Sequence, residues 1–226
     1  MSDVAKALVI ADGSAPTRAA LDSAWPGWDA DTDLVVAADG GARLAEALGL
    51  TIDLWVGDGD SLGAAGLDRL RSRGIPVERS SREKDATDTE LGLLAAIAAG
   101  ATQIVIIGGL GGPRPDHALA NVALLGHPAA VGRALAIVDP GARIRLLTGP
   151  AGFLDLSGRV GDVVSLIPLE PVAGITTTGL RYPLHGDALP IGLTRGISNV
   201  RTLIDATVTI QAGRLLVVET PATLST

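Results

Sequence analysis

Leu54-Trp55-Val56-Gly57-Asp58-Gly59-Asp60-Ser61 is a short apolar run that stops at glycine and two aspartates. A run of this length bounded by turn residues reads as a buried strand, and its acidic end reads as a loop at the edge of a sheet. The same construction recurs along the first two-thirds of the chain. Ala7-Leu8-Val9-Ile10-Ala11 ends in Asp12-Gly13, Leu34-Val35-Val36-Ala37 leads to Asp39-Gly40-Gly41, and Ile104-Val105-Ile106-Ile107 ends in Gly108-Gly109-Leu110-Gly111-Gly112. Between the runs lie helix-like stretches, Ala42 to Leu48, Leu62 to Arg73 and Leu91 to Ala99, each stopped by a glycine, the expected C-terminal punctuation. Strand and helix in alternation imply parallel pairing with right-handed crossovers, hence an open, Rossmann-like α/β sheet with helices on both faces.

After about residue 142 the texture changes. Ile144 to Leu147, Phe153 to Leu156, Val163 to Ile167, Ile175 to Thr178, Leu203 to Ile210 and Leu215 to Val218 are short, β-branched or alternating, and separated by Gly, Pro and Asp. They predict an all-β sandwich as a second domain. Asp139-Pro140-Gly141 is the turn signal between the two textures. The expected domains are residues 1–141, α/β, and 142–226, all-β.

Composition narrows the function classes. With 47% hydrophobic and 19% charged residues in 226, the chain can bury a sizeable core, which excludes disorder as the main reading. A net charge of −7 argues against nucleic acid as a partner, because phosphate backbones are held by basic faces. If polyphosphate binds, a metal ion must offset the repulsion. The chain has no cysteine, so disulfides, a thiolate nucleophile and Cys-ligated zinc are excluded, and a reducing, cytoplasmic setting is expected. Leu91 to Pro113 carries no charge, but Gly100 and the Gly108-Gly109 and Gly111-Gly112 pairs divide it. A helix, a tight turn and a central strand explain that pattern better than a membrane span. The acidic residues are 19 Asp against 6 Glu, and short carboxylates suit turns, caps and hard-metal sites.

In an open α/β sheet ligands bind beyond the carboxyl ends of the strands. Four such ends here combine glycine with a carboxylate or a second glycine, and together they make a metal-ready, phosphate-accepting crevice. Asp58 and Asp60 can face one cation if the chain turns at Gly59, with Ser61 placed to cap the next helix. In Lys84-Asp85-Ala86-Thr87-Asp88-Thr89-Glu90 the Thr87 and Glu90 spacing is that of a capping box. That predicts Thr87 as N-cap and sets Asp85 and Asp88 near the positive end of a helix. Lys84, disfavoured there by the dipole, is read as a phosphate ligand. In Gly111-Gly112-Pro113-Arg114-Pro115-Asp116-His117, Arg114 offers a planar fork for phosphate and Asp116 an N-cap or metal ligand. His117 at a helix start is more often a capping residue than a base. A Walker A loop, a Gly-x-Gly-x-x-Gly dinucleotide fingerprint after the first strand and a Gly-x-Ser-x-Gly elbow are all absent.

Taken in order, Ala38-Asp39-Gly40-Gly41-Ala42, Gly57 to Ser61, Lys84 to Glu90 and the glycine-rich run ending in Arg114-Pro115-Asp116-His117 resemble the thiamine pyrophosphokinase family. Val164 to Leu169, Gly179-Leu180-Arg181-Tyr182-Pro183-Leu184 and Gly196-Ile197-Ser198-Asn199 resemble its second domain. The resemblance implies transfer of the diphosphoryl group of Mg²⁺-ATP to the hydroxyl of thiamine, with release of AMP, by a homodimer whose active sites lie between subunits. It implies that Asp58, Asp60, Asp85 and Asp88 are catalytic, with Asp58, Asp60 and Asp85 on the metal. ATP would be held by Asp39, Gly40, Gly41, Lys84, Gly111, Gly112, Arg114, Asp116 and His117, and thiamine by Tyr182, Ser198 and Asn199. Two departures concern loop geometry: Pro113 intrudes before Arg114, and Gly59 replaces a bulkier residue between the aspartates. The competing readings are a phosphatase with Asp58 as nucleophile and a non-catalytic thiamine- or nucleotide-binding module.

Overall fold

The structure is a computed structural model and describes residues 4–81 and 85–222. Its chain divides into two compact units, Met1–Asp139 and Pro140–Thr226. In the first, β1 (Lys6–Ile10), β2 (Leu34–Ala38), β3 (Leu54–Gly57), β4 (Val77–Arg79), β5 (Gln103–Ile107) and β6 (Ala134–Asp139) form a parallel sheet in the order β6-β5-β1-β2-β3-β4. The expected open α/β sheet is thus present, and the strand order reverses at β1, which has β5 on one side and β2 on the other. That switch point is where such sheets leave a crevice.

Alternate residues of each strand serve opposite faces. Leu8, Ile10, Val35, Ala37 and Trp55 pack with Leu21, Leu44, Leu48, Leu67 and Leu70, which come from α1 (Arg18–Ala24), α2 (Gly41–Ala47) with its C-cap Leu48, and α3 (Gly63–Ser72). Val36, Ala38 and Val56 face the other way, toward Leu91 and Ala95 of α4 (Asp88–Ala98). Helix α5 (Pro115–Leu124) follows β5. Thr87 is the N-cap of α4, its hydroxyl accepting from the Glu90 amide at 3.2 Å. The other half of a capping box does not form, because the Glu90 carboxylate lies 3.4 Å from His127 Nε2.

Two caps differ from expectation. Leu62, not Ser61, precedes α3 and makes no side-chain cap bond. Arg114, not Asp116, is the N-cap residue of α5, since Pro115 already occupies the first turn with its locked φ and missing donor. Helix α1 and strands β4 and β6 add to the expected elements. Helix α1 buries only Leu21 and Ala24 and β4 is a three-residue edge strand without an apolar run, so neither carries much pattern; β6, Ala-Leu-Ala-Ile-Val-Asp, carries a legible one.

The second unit stacks two antiparallel sheets. One contains β7 (Ala142–Thr148), β9 (Val163–Pro168), β12 (Asn199–Val200) and β14 (Arg214–Thr220), ordered β12-β9-β14-β7. The other contains β8 (Gly152–Leu156), β10 (Val172–Thr178), β11 (His185–Leu189) and β13 (Ala206–Ile210), ordered β11-β10-β13-β8. Leu147, Val164, Leu166, Leu215 and Val217 from the first pack on Leu156, Ile175, Leu189, Val208 and Ile210 from the second, as a sandwich requires. The strand expected from Leu203 begins only at Ala206. The guanidinium of buried Arg201 donates to the carbonyls of Leu203 and Ile204, which turns that backbone away from the ladder. Strands β11 and β12 were not expected either: their residues are mostly polar or exposed. No helix among the described residues is long and apolar enough to cross a membrane.

Candidate active site

The crevice at the switch point is a cleft of about 470 Å³. Its wall is held by backbone bonds between the loops after β1 and β5, from the Gly13 amide to the Gly108 carbonyl and from the Ser14 amide to the Leu110 carbonyl, both 2.8 Å. Of the residues expected to form a site, Asp39, Asp58, Asp60, Asp88, Gly111, Gly112, Arg114 and His117 line this cleft. Gly40 and Gly41 are buried at the start of α2, and Asp85 and Asp116 are exposed outside the lining. Lys84 lies outside the described residues. Asp12 and Ser61, which belong to two of the four strand ends expected to form the crevice, line the cleft as well.

One carboxylate oxygen each of Asp39, Asp58 and Asp60 lie within 4.8 Å of one another. The register of β2 on β3, Ala38 opposite Val56, brings Asp39 beside Gly57 and Asp58. Asp39 itself is only 4% exposed and holds a left-handed φ of 43°. Its amide donates to the Val56 carbonyl at 2.8 Å, and its own carbonyl accepts from the Trp55 indole at 2.9 Å. Oδ2 accepts from the Ser61 amide at 3.2 Å. Oδ1 is buried and has no partner. Burial pushes the Asp39 carboxyl above its ordinary value, opposed by donation from Ser61 and reinforced by the charge of Asp88 and by the neighbouring Asp60 carboxyl.

A left-handed backbone and an orphaned buried oxygen are both costly to keep. Three hard oxygens around such an atom fit a cation of the magnesium type. Asp58 accepts the Asp60 amide at 2.9 Å through Oδ1, and the Ser61 hydroxyl donates to Asp60 at 3.3 Å, so this loop is ordered by its own acids. The turn uses Gly59 at a φ of 85°, where a side-chain Cβ would meet Leu67 at 2.8 Å. A bulkier residue is strained at this φ and requires the end of the Leu67 side chain to shift.

Arg114 donates to Asp116 through Nε at 2.9 Å and Nη2 at 2.5 Å. The pairing lowers the Asp116 carboxyl to about 2 and raises Arg114. Arg114 therefore stands at the cleft wall with a planar fork occupied by a carboxylate, the geometry that also receives phosphate.

Residues 28–137 match the family model described as thiamin pyrophosphokinase, catalytic domain, and residues 154–216 match the one described as its vitamin B1 binding domain. Over 177 residues, 77% of each chain, the sequence is 30% identical to the thiamine pyrophosphokinase of Bacillus subtilis (strain 168). The chain belongs to the thiamine pyrophosphokinase family. The fold agrees. The crystal structure of the Bacillus subtilis thiamine pyrophosphokinase superposes with a TM-score of 0.79 at 25% identity, over 96% of this chain and 99% of that one. That from Geobacillus thermodenitrificans gives 0.77 at 28%, over 95% and 97%. The yeast thiamin pyrophosphokinase, at 15% identity, shares the fold with a TM-score of 0.75 over 99% of this chain and 88% of that one. Neither an aspartyl-phosphatase nor a non-catalytic module is favoured by these matches.

The residues expected for thiamine lie in the second unit, within the stretch matching the vitamin B1 binding domain of thiamine pyrophosphokinases. Tyr182 is 64% exposed and Asn199 is buried. The Asn199 amide grips both backbone groups of Tyr182, accepting its N–H at 3.0 Å and donating to its carbonyl at 2.7 Å. Asn199 Oδ1 also accepts the Val200 amide at 2.9 Å. Ser198, with a φ of 60°, donates its amide to the Ser165 hydroxyl at 3.1 Å.

Proposed function

We propose that this chain transfers the β,γ-diphosphoryl group of ATP to the hydroxyl of thiamine, giving thiamine diphosphate and AMP. The observation that carries the reading is the Asp39, Asp58 and Asp60 cluster, with its orphaned buried oxygen, beside glycine-rich loops at a sheet switch point. Asp39, Asp58 and Asp60 would hold Mg²⁺; Asp39 takes the place of exposed Asp85 in the expected set. When bound, the ion neutralises triphosphate charge. Diphosphoryl transfer leaves the protein mainly positioning and electrostatic work. Asp88, at the first turn of α4 and on the cleft wall, would orient the thiamine hydroxyl for attack on the β-phosphorus and accept its proton. The backbone of Gly111 and Gly112 and the side chain of His117 would face the phosphates. Arg114 would exchange Asp116 for phosphate oxygens, and Lys84 would add a second positive charge.

In the second unit, Tyr182 would stack on the thiamine rings and Ser198 would hydrogen-bond the aminopyrimidine. Asn199, spent on the Tyr182 backbone, would act by holding that loop. A homodimer would cover the exposed apolar side chains Ile191, Leu193, Leu203 and Ile204.

Incubation with ATP, Mg²⁺ and thiamine is expected to yield AMP and thiamine diphosphate in equal amounts; ADP as the sole nucleotide product overturns the reading. Asn199→Ala is expected to raise the KM for thiamine about tenfold, the equivalent of roughly 1.4 kcal/mol of lost preorganisation, with the KM for ATP unchanged. Equal effects on both substrates would remove Asn199 from the thiamine site.

A further inference from the structure

Two arginines that no motif singles out hold the ends of the Asp58–Ser61 loop, and they do so through its backbone. Arg79, the last residue of β4, donates from Nη2 to the Asp58 carbonyl at 2.9 Å. Arg43, on α2, donates from Nη1 to the Ser61 carbonyl at 2.9 Å and from Nη2 to Asp12 Oδ2 at 3.3 Å. Ser61 is the residue that serves two of the three clustered carboxylates, through its amide to Asp39 and its hydroxyl to Asp60. Arg43 thus ties the β1 end to Ser61, and Ser61 ties the cluster together.

We infer that Arg43 and Arg79 are positioning residues for the metal site, fixing the spacing of Asp39, Asp58 and Asp60 by gripping the loop between them. The inference rests on the metal-binding reading above and adds to it the residues that set its affinity. Three carboxylates this close repel one another, so keeping them together calls for a restraint on the loop that carries them. A guanidinium stays charged at any working pH and offers several donors in a rigid plane. Directed at the Ser61 and Asp58 carbonyls, it restrains the loop at its two ends. Groups that orient metal ligands from behind typically change metal affinity by about 10- to 100-fold when removed.

The sign of the effect separates this role from plain electrostatics. Removing a positive charge near a cation site should tighten cation binding; removing a grip that holds the ligands together should weaken it. Mn²⁺ alone is the probe, titrated into the full chain without nucleotide and followed by electron paramagnetic resonance of the free ion. Arg43→Met and Arg79→Met are each expected to raise the Mn²⁺ Kd about tenfold, with the far-ultraviolet circular dichroism of the wild type retained. Arg43→Lys keeps the charge but has no planar fork to span Asp12 and Ser61, and is expected to remain severalfold weaker than wild type; if Arg43→Met does not fold, this variant decides. Unchanged or tighter Mn²⁺ binding overturns the inference. So does unchanged Mn²⁺ binding joined to a raised KM for ATP, which would assign Arg43 to the nucleotide. A wild-type chain whose Mn²⁺ binding is absent, or is indifferent to Asp39→Asn, removes the metal reading and this inference together. Wild-type binding that responds to Asp39→Asn but not to either arginine removes the inference alone.

Discussion

Asp39→Asn is expected to lower kcat about a thousandfold, on the order of 4 kcal/mol of transition-state stabilisation, while making the metal-free protein more stable by about 1–2 kcal/mol. Asparagine is nearly isosteric and tolerates the left-handed backbone that Asp39 adopts at a φ of 43°. It still accepts from the Ser61 amide. What it removes is a buried negative charge whose Oδ1 has no partner, near the carboxylates of Asp58 and Asp60. The gain depends on pH, with a definite sign. Because burial raises the folded-state pKa of Asp39, its protonated form is the one folding favours. The penalty is absent below the unfolded value of about 4 and grows as pH rises from there through the folded value. Urea denaturation in chelator should therefore show the variant ahead of wild type at pH 7, with the gap closing toward pH 4. A variant that is less stable than wild type at pH 7, or one that retains turnover, contradicts this account of Asp39.

Gly41→Ala is expected to destabilise the first unit by about 3 kcal/mol, lowering its thermal midpoint by roughly 6–12 °C. An added Cβ would lie 2.0 Å from the Ile10 carbonyl oxygen and 2.7 Å from the carbonyl carbon. Neither can move aside, since β1 is hydrogen-bonded to β2 and β5 on its two sides. Gly49 is the contrasting case. It ends α2 at a φ of 69° with nothing within 4 Å of the added atom, so Gly49→Ala should cost only about 1 kcal/mol, from the backbone conformation alone. Differential scanning calorimetry of the two variants checks the order; a Gly41→Ala shift no larger than that of Gly49→Ala would refute the close approach of α2 to β1.

The alternation of apolar runs and helical stretches was legible because it is local: burial on both faces requires continuous Val and Ile in a strand, and the required turn places Gly and Asp at its end. The same logic marked Asp58, Asp60, Gly111 and Gly112, helix-start and loop chemistry marked Asp88 and Arg114, and the family resemblance added His117; all of them line one cleft. Thr87 was readable as a cap for the same reason. Where side chains outcompete local preference, legibility failed. Arg201 draws the carbonyls of Leu203 and Ile204 out of an expected strand, and Ser61, expected to cap α3, instead gives its amide to Asp39 and its hydroxyl to Asp60.

The sequence by itself determined the fold class and the edge of the sheet at which a ligand would sit, since periodicity and turn chemistry are properties of neighbouring residues, and its ordered motifs carried the resemblance to the family. Only the tertiary structure decided which carboxylates meet. Asp39 joins Asp58 and Asp60 through the register of β2 on β3, while Asp85, in the more recognisable motif, remains exposed. It alone also decided that Arg43 and Arg79 grip the loop between them. Strand register and the reach of a guanidinium join residues far apart in the chain, and no local pattern records that distance.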